Sequence, residues 1–297
     1  MSKLQKVRDK FSTEEACLSY LAGLKWSHEY KCPKCDNSSY YKGRKKYFRK
    51  CTECEFDESP TSGTLFHKIK FSLVKAFEII YWITETKKGM STTEIASHFG
   101  INQSTAWKFK RKIQLAMKDS EDKMLSGFVE VDEFMFGSKE KKAQGRSLGK
   151  KHKALVGIET MTTSKGEKGI RQAYCRSIQG YSNEDFRPFF EEKIDKDAKI
   201  RTDKWTGYYP LKEDFKIRMV YSKSGKNFKE IHYFIMNLKG WLRGIHHSVC
   251  PWHFQAYLDE FCFRFNNRMN KISPWKILTQ KMVNHKPVLA KDLYYGI

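Results

Sequence analysis

Apolar positions in the first third of the chain recur at the three- and four-residue spacing of helices. Over residues 11–26 they follow the capping motif Ser12-x-x-Glu15, which predicts a short amphipathic helix. Residues 71–86 are strongly apolar and predict a second helix, which we expect Gly89 to end in a left-handed conformation. The N-terminal third is therefore expected to be largely helical.

Two closely spaced helices are predicted next. Ser91-Thr-Thr-Glu94 is typical of a capping box, the helix it opens stops at Gly100, and Asn102 begins the second helix. This pattern predicts a helix-turn-helix whose second helix meets DNA. We expect its polar residues at base edges and its basic residues at phosphates. The polar set is Asn102, Gln103, Ser104 and Thr105, and the basic set is Lys108, Lys110, Arg111 and Lys112. The alternative is a three-helix packing unit whose basic residues only add solubility.

From Gly127 onward the pattern changes to strands. The segments FVEVDEFMF, HKALVGIE and IRQAYCRSI predict three consecutive antiparallel strands. A helix (SNEDFRPFFEEKI), a short buried strand (AKIRTD), a second helical segment (WTGYYPL) and a strand (IRMVYS) follow. The order βββαβαβ predicts an α/β layer fold, and this order is typical of the ribonuclease H type of nucleotidyl-transfer domain.

Composition favours a polyanionic partner. The chain has 297 residues, room for two or three domains, and its 56 Lys and Arg against 34 Asp and Glu give a formal net charge of +22. No apolar run approaches the roughly 20 residues that a membrane span needs, and the first residues lack the pattern of a signal peptide. We therefore expect a cytoplasmic, nucleoid-associated protein that binds nucleic acid.

The cysteines give the most specific local signal. Cys32-Pro-Lys-Cys35 and Cys51-Thr-Glu-Cys54 are two CxxC motifs whose spacing suits one tetrahedral Zn²⁺ ion, so we predict a zinc ribbon. Two disulfides or four unrelated thiols are the alternative. Together with the changes of pattern, this predicts three domains: an N-terminal helix and ribbon (1–66), a helix-turn-helix (67–122) and a catalytic α/β domain (123–297).

Two aspartates stand where chemistry is expected. Asp132 lies within the first predicted strand of the α/β domain and Asp203 ends the fourth. If those strands are neighbours, the carboxylates converge, and a divalent cation, Mg²⁺ or Mn²⁺, would relieve their repulsion. Such a site can activate a water or a 3′-hydroxyl for attack on a phosphodiester. The alternative for either aspartate is a turn residue satisfied by backbone. Trp205 and Tyr208, just after Asp203, are candidates for stacking on a DNA end or for a lid.

Several segments together resemble a known family. The zinc ribbon, GTLFHKIKFSLVKAF, STTEIASHFGINQSTAWKFKRKI, VEVDEFMFG, NLKGWLRGIHHSV and HFQAYLDEFCFRFNNR are similar to bacterial insertion-sequence transposases that join a zinc ribbon to a DDE-type, integrase-like domain. The resemblance covers nearly all of residues 32–268. It implies that Asp132 and Asp203 are the first two catalytic carboxylates, that the metal is Mg²⁺, and that the substrates are terminal inverted repeats.

The third metal ligand departs from the plain family pattern. The family places a Glu, or in some branches an Asn or His, on a late helix two turns before a Lys. Lys239 lies seven residues after His232, so both share one helical face, and we select His232 as the ligand. Mg²⁺ prefers oxygen, so His232 would favour Mn²⁺. Glu230, Asn237 and Glu260 remain alternatives. Lys239 and Arg243 are expected to contact phosphate.

The sequence leaves three functions open. The first is a transposase that binds double-stranded DNA, cleaves the element ends and joins them to target DNA as a dimer or higher oligomer. The second is a non-catalytic DNA-binding regulator that keeps an integrase-like domain for assembly. The third is a nuclease or resolvase of the same fold, which would make no strand-transfer product.

Overall fold

The computed structural model describes residues 2–118, 123–138, 149–162, 166–223, 225–246 and 249–294. Up to residue 117 the elements are helices and three short strands: α1 (Lys3–Lys10), α2 (Glu14–Lys25), β1 (Tyr40–Lys42), β2 (Arg49–Cys51), β3 (Asp57–Glu58), α3 (Leu73–Glu85), α4 (Thr92–Phe99) and α5 (Gln103–Met117). The later elements are β4 (Phe128–Phe136), β5 (His152–Thr162), β6 (Lys168–Ile178), α6 (Asn183–Lys193), β7 (Lys199–Thr202), β8 (Ile217–Met219), α7 (Lys229–Ile245), α8 (Phe254–Asn266) and α9 (Pro274–Asn284).

The chain divides into two compact units. The first unit combines Met1–Met117 with Lys271–Ile297, and the second is Lys118–Asn270. No helix in the described ranges combines the length and the apolar character that crossing a lipid bilayer requires.

Helix ends in the first unit follow local side-chain chemistry. At α4, the Glu94 amide donates to Ser91 Oγ (3.2 Å) and the Ser91 amide donates to Glu94 Oε2 (2.7 Å), which confirms the predicted capping box. Gly100 follows in the left-handed conformation (φ 59°) and ends the helix there. Two other predicted helix ends lie at different residues in the structure. Thr13 caps α2 instead of Ser12, and α3 ends at Glu85, short of Gly89.

The C-terminal helix belongs to the first unit, which corrects the predicted domain 123–297. Trp275 of α9 is buried against the rings of Phe11, Tyr20 and Phe77, with centroids 5.3, 5.6 and 5.5 Å away. Its indole N–H donates to the Phe77 carbonyl at 3.0 Å. An amphipathic helix must bury its apolar stripe, and α9 buries its own here. Sequence spacing does not reveal which core a terminal helix joins.

The second unit is built on one mixed sheet. Its strand order is β6-β5-β4-β7-β8, with β4, β5 and β6 antiparallel and with β7 and β8 parallel to β4. The predicted α/β class and its ribonuclease H-like order are confirmed, with one difference. WTGYYPL forms two 3-10 turns, Thr206–Tyr208 and Pro210–Glu213, instead of a helix. Pro210 lacks an N–H donor, which disfavours one continuous helix through this segment.

Alternation along β4 separates two cores. Val129 and Val131 pack with α6 on one face of the sheet. Phe134 and Phe136 pack with α7 and α8 on the other face. Because side chains alternate between faces along a strand, Asp132 lies on the face that carries α7.

The placement of α9 gives the first testable prediction. We expect Trp275→Ala to destabilise the first unit by about 3–5 kcal/mol, because truncation of a buried tryptophan leaves a cavity in an aromatic cluster. Lys276→Ala, at an exposed neighbouring position, is the matched control. Denaturant unfolding of the full chain measures both variants. Equal stability of the two would show that α9 does not hold this core together.

Candidate active site and zinc centre

The register of β4 and β7 sets the position of the two aspartates. The paired residues are Phe128 with Lys199, Val129 with Ile200 and Glu130 with Arg201. The pairing ends there; if the same register continued for two more residues, Asp203 would lie beside Asp132. Glu130 and Arg201 form an ion pair at 3.5 Å on the shared face, and residues two further along a strand point to the same side. Asp132 therefore lies on the face that carries α7, and Asp203, the first residue after β7, would share that face if the alternation continued.

Asp132 contacts His232 of α7. His232 Nε2 lies 3.0 Å from Asp132 Oδ2, and Asp132 Oδ1 accepts the Glu133 amide at 2.9 Å. The hydrogen bond to Asp132 raises the pKa of His232 against the opposing effect of burial, and the Asp132 and Glu130 charges add to the rise. The Asp132 side chain is 19% exposed and that of His232 is 40% exposed, so solvent reaches the pair.

Gly225 allows the backbone to approach the imidazole closely. Its φ is 86°, and a Cβ atom there would lie 2.3 Å from His232 Nδ1. A side chain at this position would have to displace the ring, so glycine is required on both counts.

Asp203 lies at the end of β7 in a local turn. Its Oδ1 accepts the Trp205 amide at 3.0 Å, and the Trp205 indole donates to the Tyr181 carbonyl at 2.7 Å. Tyr208 is fully buried, which corrects the prediction that it could stack on a DNA end. Its hydroxyl donates to Glu133 Oε2 at 2.7 Å.

The charges of both aspartates act on the Tyr208 hydroxyl. Burial, then the Glu133, Asp132 and Asp203 charges, raise the pKa of Tyr208 well above its usual value. Sequence reasoning did not single out Glu133. The sequence pointed to Glu133 only through its position next to Asp132. Because side chains alternate along β4, Glu133 lies on the opposite face of the sheet.

The two basic candidates follow His232 along α7. Lys239 is half-buried, with its Nζ 5.3 Å from the centroid of the Phe134 ring, and Arg243 is exposed. Burial and the Arg243 charge lower the pKa of Lys239, while the Asp132 charge opposes this shift. The Asp132 charge therefore acts on both Lys239 and His232, which lie two turns apart on α7.

The alternatives for the third ligand lie in different surroundings. Glu230 is half-buried at the start of α7, Asn237 is exposed, and Glu260 is fully buried in α8. In the part of the chain that the structure describes, only the four cysteines bring three or more potential ligand atoms within 4.8 Å of one another. Asp132, Asp203 and His232 thus do not form a closed three-ligand cluster.

The predicted DNA-contact residues of α5 differ in their exposure to solvent. Asn102, Gln103 and Ser104 are exposed, Thr105 is half-buried, and Asn102 Oδ1 accepts the Ser104 amide at 2.8 Å. Lys108 is half-buried. The start of the helix therefore offers polar groups to solvent.

Three of the basic residues in α5 serve the fold instead. Lys110 is buried and donates to the Met90 carbonyl at 2.7 Å, and Arg111 is buried and donates to Gln114 Oε1 at 2.8 Å. Half-buried Lys112 donates to the His67 carbonyl at 3.0 Å. Phosphate contact by Lys110 and Arg111 is a wrong prediction, because these positions face the core of the first unit.

The four cysteines form a compact sulfur cluster. Their Sγ atoms lie within 4.8 Å of one another, with Cys32 and Cys54 at 3.4 Å and Cys35 and Cys51 at 3.5 Å. Burial works against ionisation, but hydrogen bonds from the Cys54 amide and the Asn37 side chain lower the pKa of Cys51 to about 6. Thiolates at this spacing suit tetrahedral Zn²⁺, so the cluster supports a structural zinc site.

Comparison with known families decides the identity. Residues 124–266 match the ISXO2-like transposase domain, and residues 12–56 match the transposase zinc-ribbon domain. The chain belongs to the DDE-type insertion-sequence transposases. No curated protein sequence matches it. In this transposase the first match contains Asp132, Asp203 and His232, and the second contains the four cysteines. Neither match reaches α3, α4 or α5.

Zinc content tests the sulfur cluster of the transposase. We expect Cys51→Ser to lose one zinc ion per chain and to unfold the ribbon, because binding energy at a structural zinc site is folding energy. Cys250→Ser, at an exposed cysteine outside the cluster, is the matched control. Metal analysis and circular dichroism measure the two effects. Equal zinc content in both variants would contradict the site.

Titration tests the Asp132–His232 pair in the metal-free transposase. We expect NMR to give His232 a pKa above about 6.5, and Asp132→Asn to bring it back down. Because the folded-state pKa is raised, the stabilising contribution of the pair is complete below the unfolded pKa and is lost as the pH rises through the folded pKa. An unchanged His232 pKa in Asp132→Asn would contradict the contact.

Proposed function

We propose that this transposase binds the terminal inverted repeats of an insertion sequence and catalyses metal-dependent cleavage and strand transfer. The observation that carries the proposal is the contact of His232 with Asp132, on the strand whose parallel pairing with β7 runs toward Asp203. Asp132 and His232 are 100 positions apart in the chain, yet they are in contact, because α7 packs on the sheet face that carries Asp132. All three fall within the range that matches the transposase domain.

The donor set suits a hard divalent cation. Two carboxylates with open coordination positions are typical of Mg²⁺ sites that are completed by water and substrate phosphate. Asp132 and Asp203 would hold the ion, and the imidazole of His232 would favour Mn²⁺ over Mg²⁺ as a direct ligand. When bound, the ion supplies activation of water or a 3′-hydroxyl and stabilises the departing oxygen.

The protein's own groups position Asp132 and the DNA. In the absence of the ion, the Glu133 amide and His232 Nε2 each contact one oxygen of Asp132, which fixes the plane of its carboxylate. To bind the ion directly, this nitrogen of His232 would have to leave Asp132. The charges of Lys239 and Arg243 continue from this point along α7, where they would bind the phosphates that flank the scissile bond. The Tyr208–Glu133 hydrogen bond supports β4 from the opposite face of the sheet.

DNA binding and assembly extend the proposal. The exposed start of α5, with Asn102, Gln103 and Ser104, is the surface we assign to base contacts in double-stranded DNA. The net charge of +22 would supply the electrostatic part of the affinity. Synapsis of two element ends favours at least a homodimer. We place the protein in the cytoplasm, associated with the nucleoid.

A second function is favoured by one observation. The three metal-site residues do not close into a cluster within 4.8 Å, and the third of them is a histidine. A DNA-binding regulator that retains the catalytic fold for assembly would share both features. Cleavage assays separate the two functions.

Cleavage of a labelled element end tests the proposal. We expect Asp132→Asn and Asp203→Asn to reduce nicking in Mg²⁺ or Mn²⁺ by at least about a thousandfold while DNA affinity is retained, because each removes a charge that the metal requires. Asp214→Asn, at an exposed aspartate paired with Arg187, is the control. Nicking that survives in both site variants would contradict the assignment. Binding without any cleavage by the wild type would favour the regulator, and cleavage without strand transfer would favour a nuclease.

A further inference from the structure

A cationic cavity lies at the start of three adjacent strands in the second unit. It has a volume of about 810 Å³ and is lined by residues from the beginning of β4, β7 and β8, among them Phe128, Lys199 and Arg218. A smaller cavity of about 490 Å³ adjoins it and shares Lys168, Arg201 and Arg218. Binding pockets for small organic molecules commonly span 300–1,000 Å³, so the larger cavity has room for a nucleotide.

Positive charge dominates this cavity. Lys199, Lys216 and Arg218 are exposed along its wall. Lys216 is paired with Asp197 at 2.6 Å, whereas Arg218 has no acidic partner within the described ranges. The buried carboxylate of Glu130 is paired with Arg201, so it offsets that single cation. An anionic ligand would supply the missing counter-charge.

An exposed aromatic ring lies among the cationic side chains of this cavity. Phe128 is 62% exposed, and the Lys199 ammonium lies 5.3 Å from its ring centroid. Met161, also exposed, lines the same cavity. Exposed aromatic rings beside backbone-tracking cations are the combination that binds single-stranded nucleic acid, because the base stacks while the cations hold phosphate.

The cavity adjoins the candidate active site. Glu130 and Arg201 line it, and they precede Asp132 and Asp203 by two residues on the same sheet face. Two residues of a strand span about 6.6 Å. A DNA strand that crosses the aspartates can therefore place its adjacent nucleotide in this cavity.

We propose that the cavity binds an unpaired nucleotide of the DNA strand next to the scissile phosphate, with its base on Phe128 and its phosphates on Lys199 and Arg218. The position relative to the scissile bond rests on the proposed function, whereas the binding itself does not require cleavage. Unpaired DNA is favoured over duplex because the base must leave its stack to reach the ring.

Equilibrium binding to the full zinc-loaded chain tests the proposal. The probes are a fluorescent thymidine oligonucleotide of about six residues and a duplex of the same length, measured without divalent cation. We expect Phe128→Ala to weaken single-strand binding about tenfold and Phe128→Tyr to retain it, since tyrosine keeps the stacking surface. The paired change Lys199→Gln with Arg218→Gln should lower the slope of log affinity against log salt by about 1.4. Lys196→Gln, an exposed lysine outside the cavity wall, should change that slope less.

The outcomes separate the alternatives. An equal loss of single-strand and duplex binding in Phe128→Ala would overturn the unpaired-nucleotide site, and so would unchanged single-strand binding. Cross-linking of a bromouracil oligonucleotide should modify the peptide that contains Phe128, and modification only elsewhere would also overturn it. If the wild type cleaves no DNA but the Phe128 effects persist, the proposed function fails while this site stands.

Discussion

The parallel pairing of β4 with β7 is the constraint on which the candidate site depends. Its register, extended by two residues, would bring two aspartates that are 71 positions apart in the sequence to one level of one sheet face. Val129 and Ile200, buried in the opposite core, fix the register from below. A slip of one residue would send Asp203 to the other face, where the packing of α6 excludes it.

Helix α7 packs on the sheet and also carries residues of the candidate site. Its buried stripe, with Ile231, Phe234, Leu238 and Leu242, packs on the sheet and fixes the rotation of the helix. That rotation directs His232 to Asp132 and keeps Lys239 near it. The cationic cavity includes Glu130 and Arg201, which precede the two aspartates by two residues along β4 and β7, so positive charge lies next to the candidate site.

Local sequence signals predicted the helices and strands well, whereas features that depend on tertiary contacts were predicted less well. Capping residues and strand alternation are encoded within a few positions, which is why the α4 cap and β4 were predictable. The charges of Lys110 and Arg111 suggested that both side chains are exposed to solvent. In the structure α5 buries that face, and acceptors within the first unit bind the two charged groups. The seven-residue spacing to Lys239, together with the family pattern, singled out His232 as a candidate ligand, but its contact with Asp132 depends on how α7 packs on the sheet. The cavity at Phe128 was not predictable, because it exists only where three strand ends converge.

The position of a divalent cation tests the central claim most directly. A crystal of the transposase with a DNA end and Mn²⁺ would locate the ion by its anomalous scattering. The account predicts an ion bound by carboxylate oxygens of both Asp132 and Asp203, at about 2.0–2.2 Å and in contact with a DNA phosphate. An ion held elsewhere, or carboxylates directed away from each other around bound DNA, would contradict it.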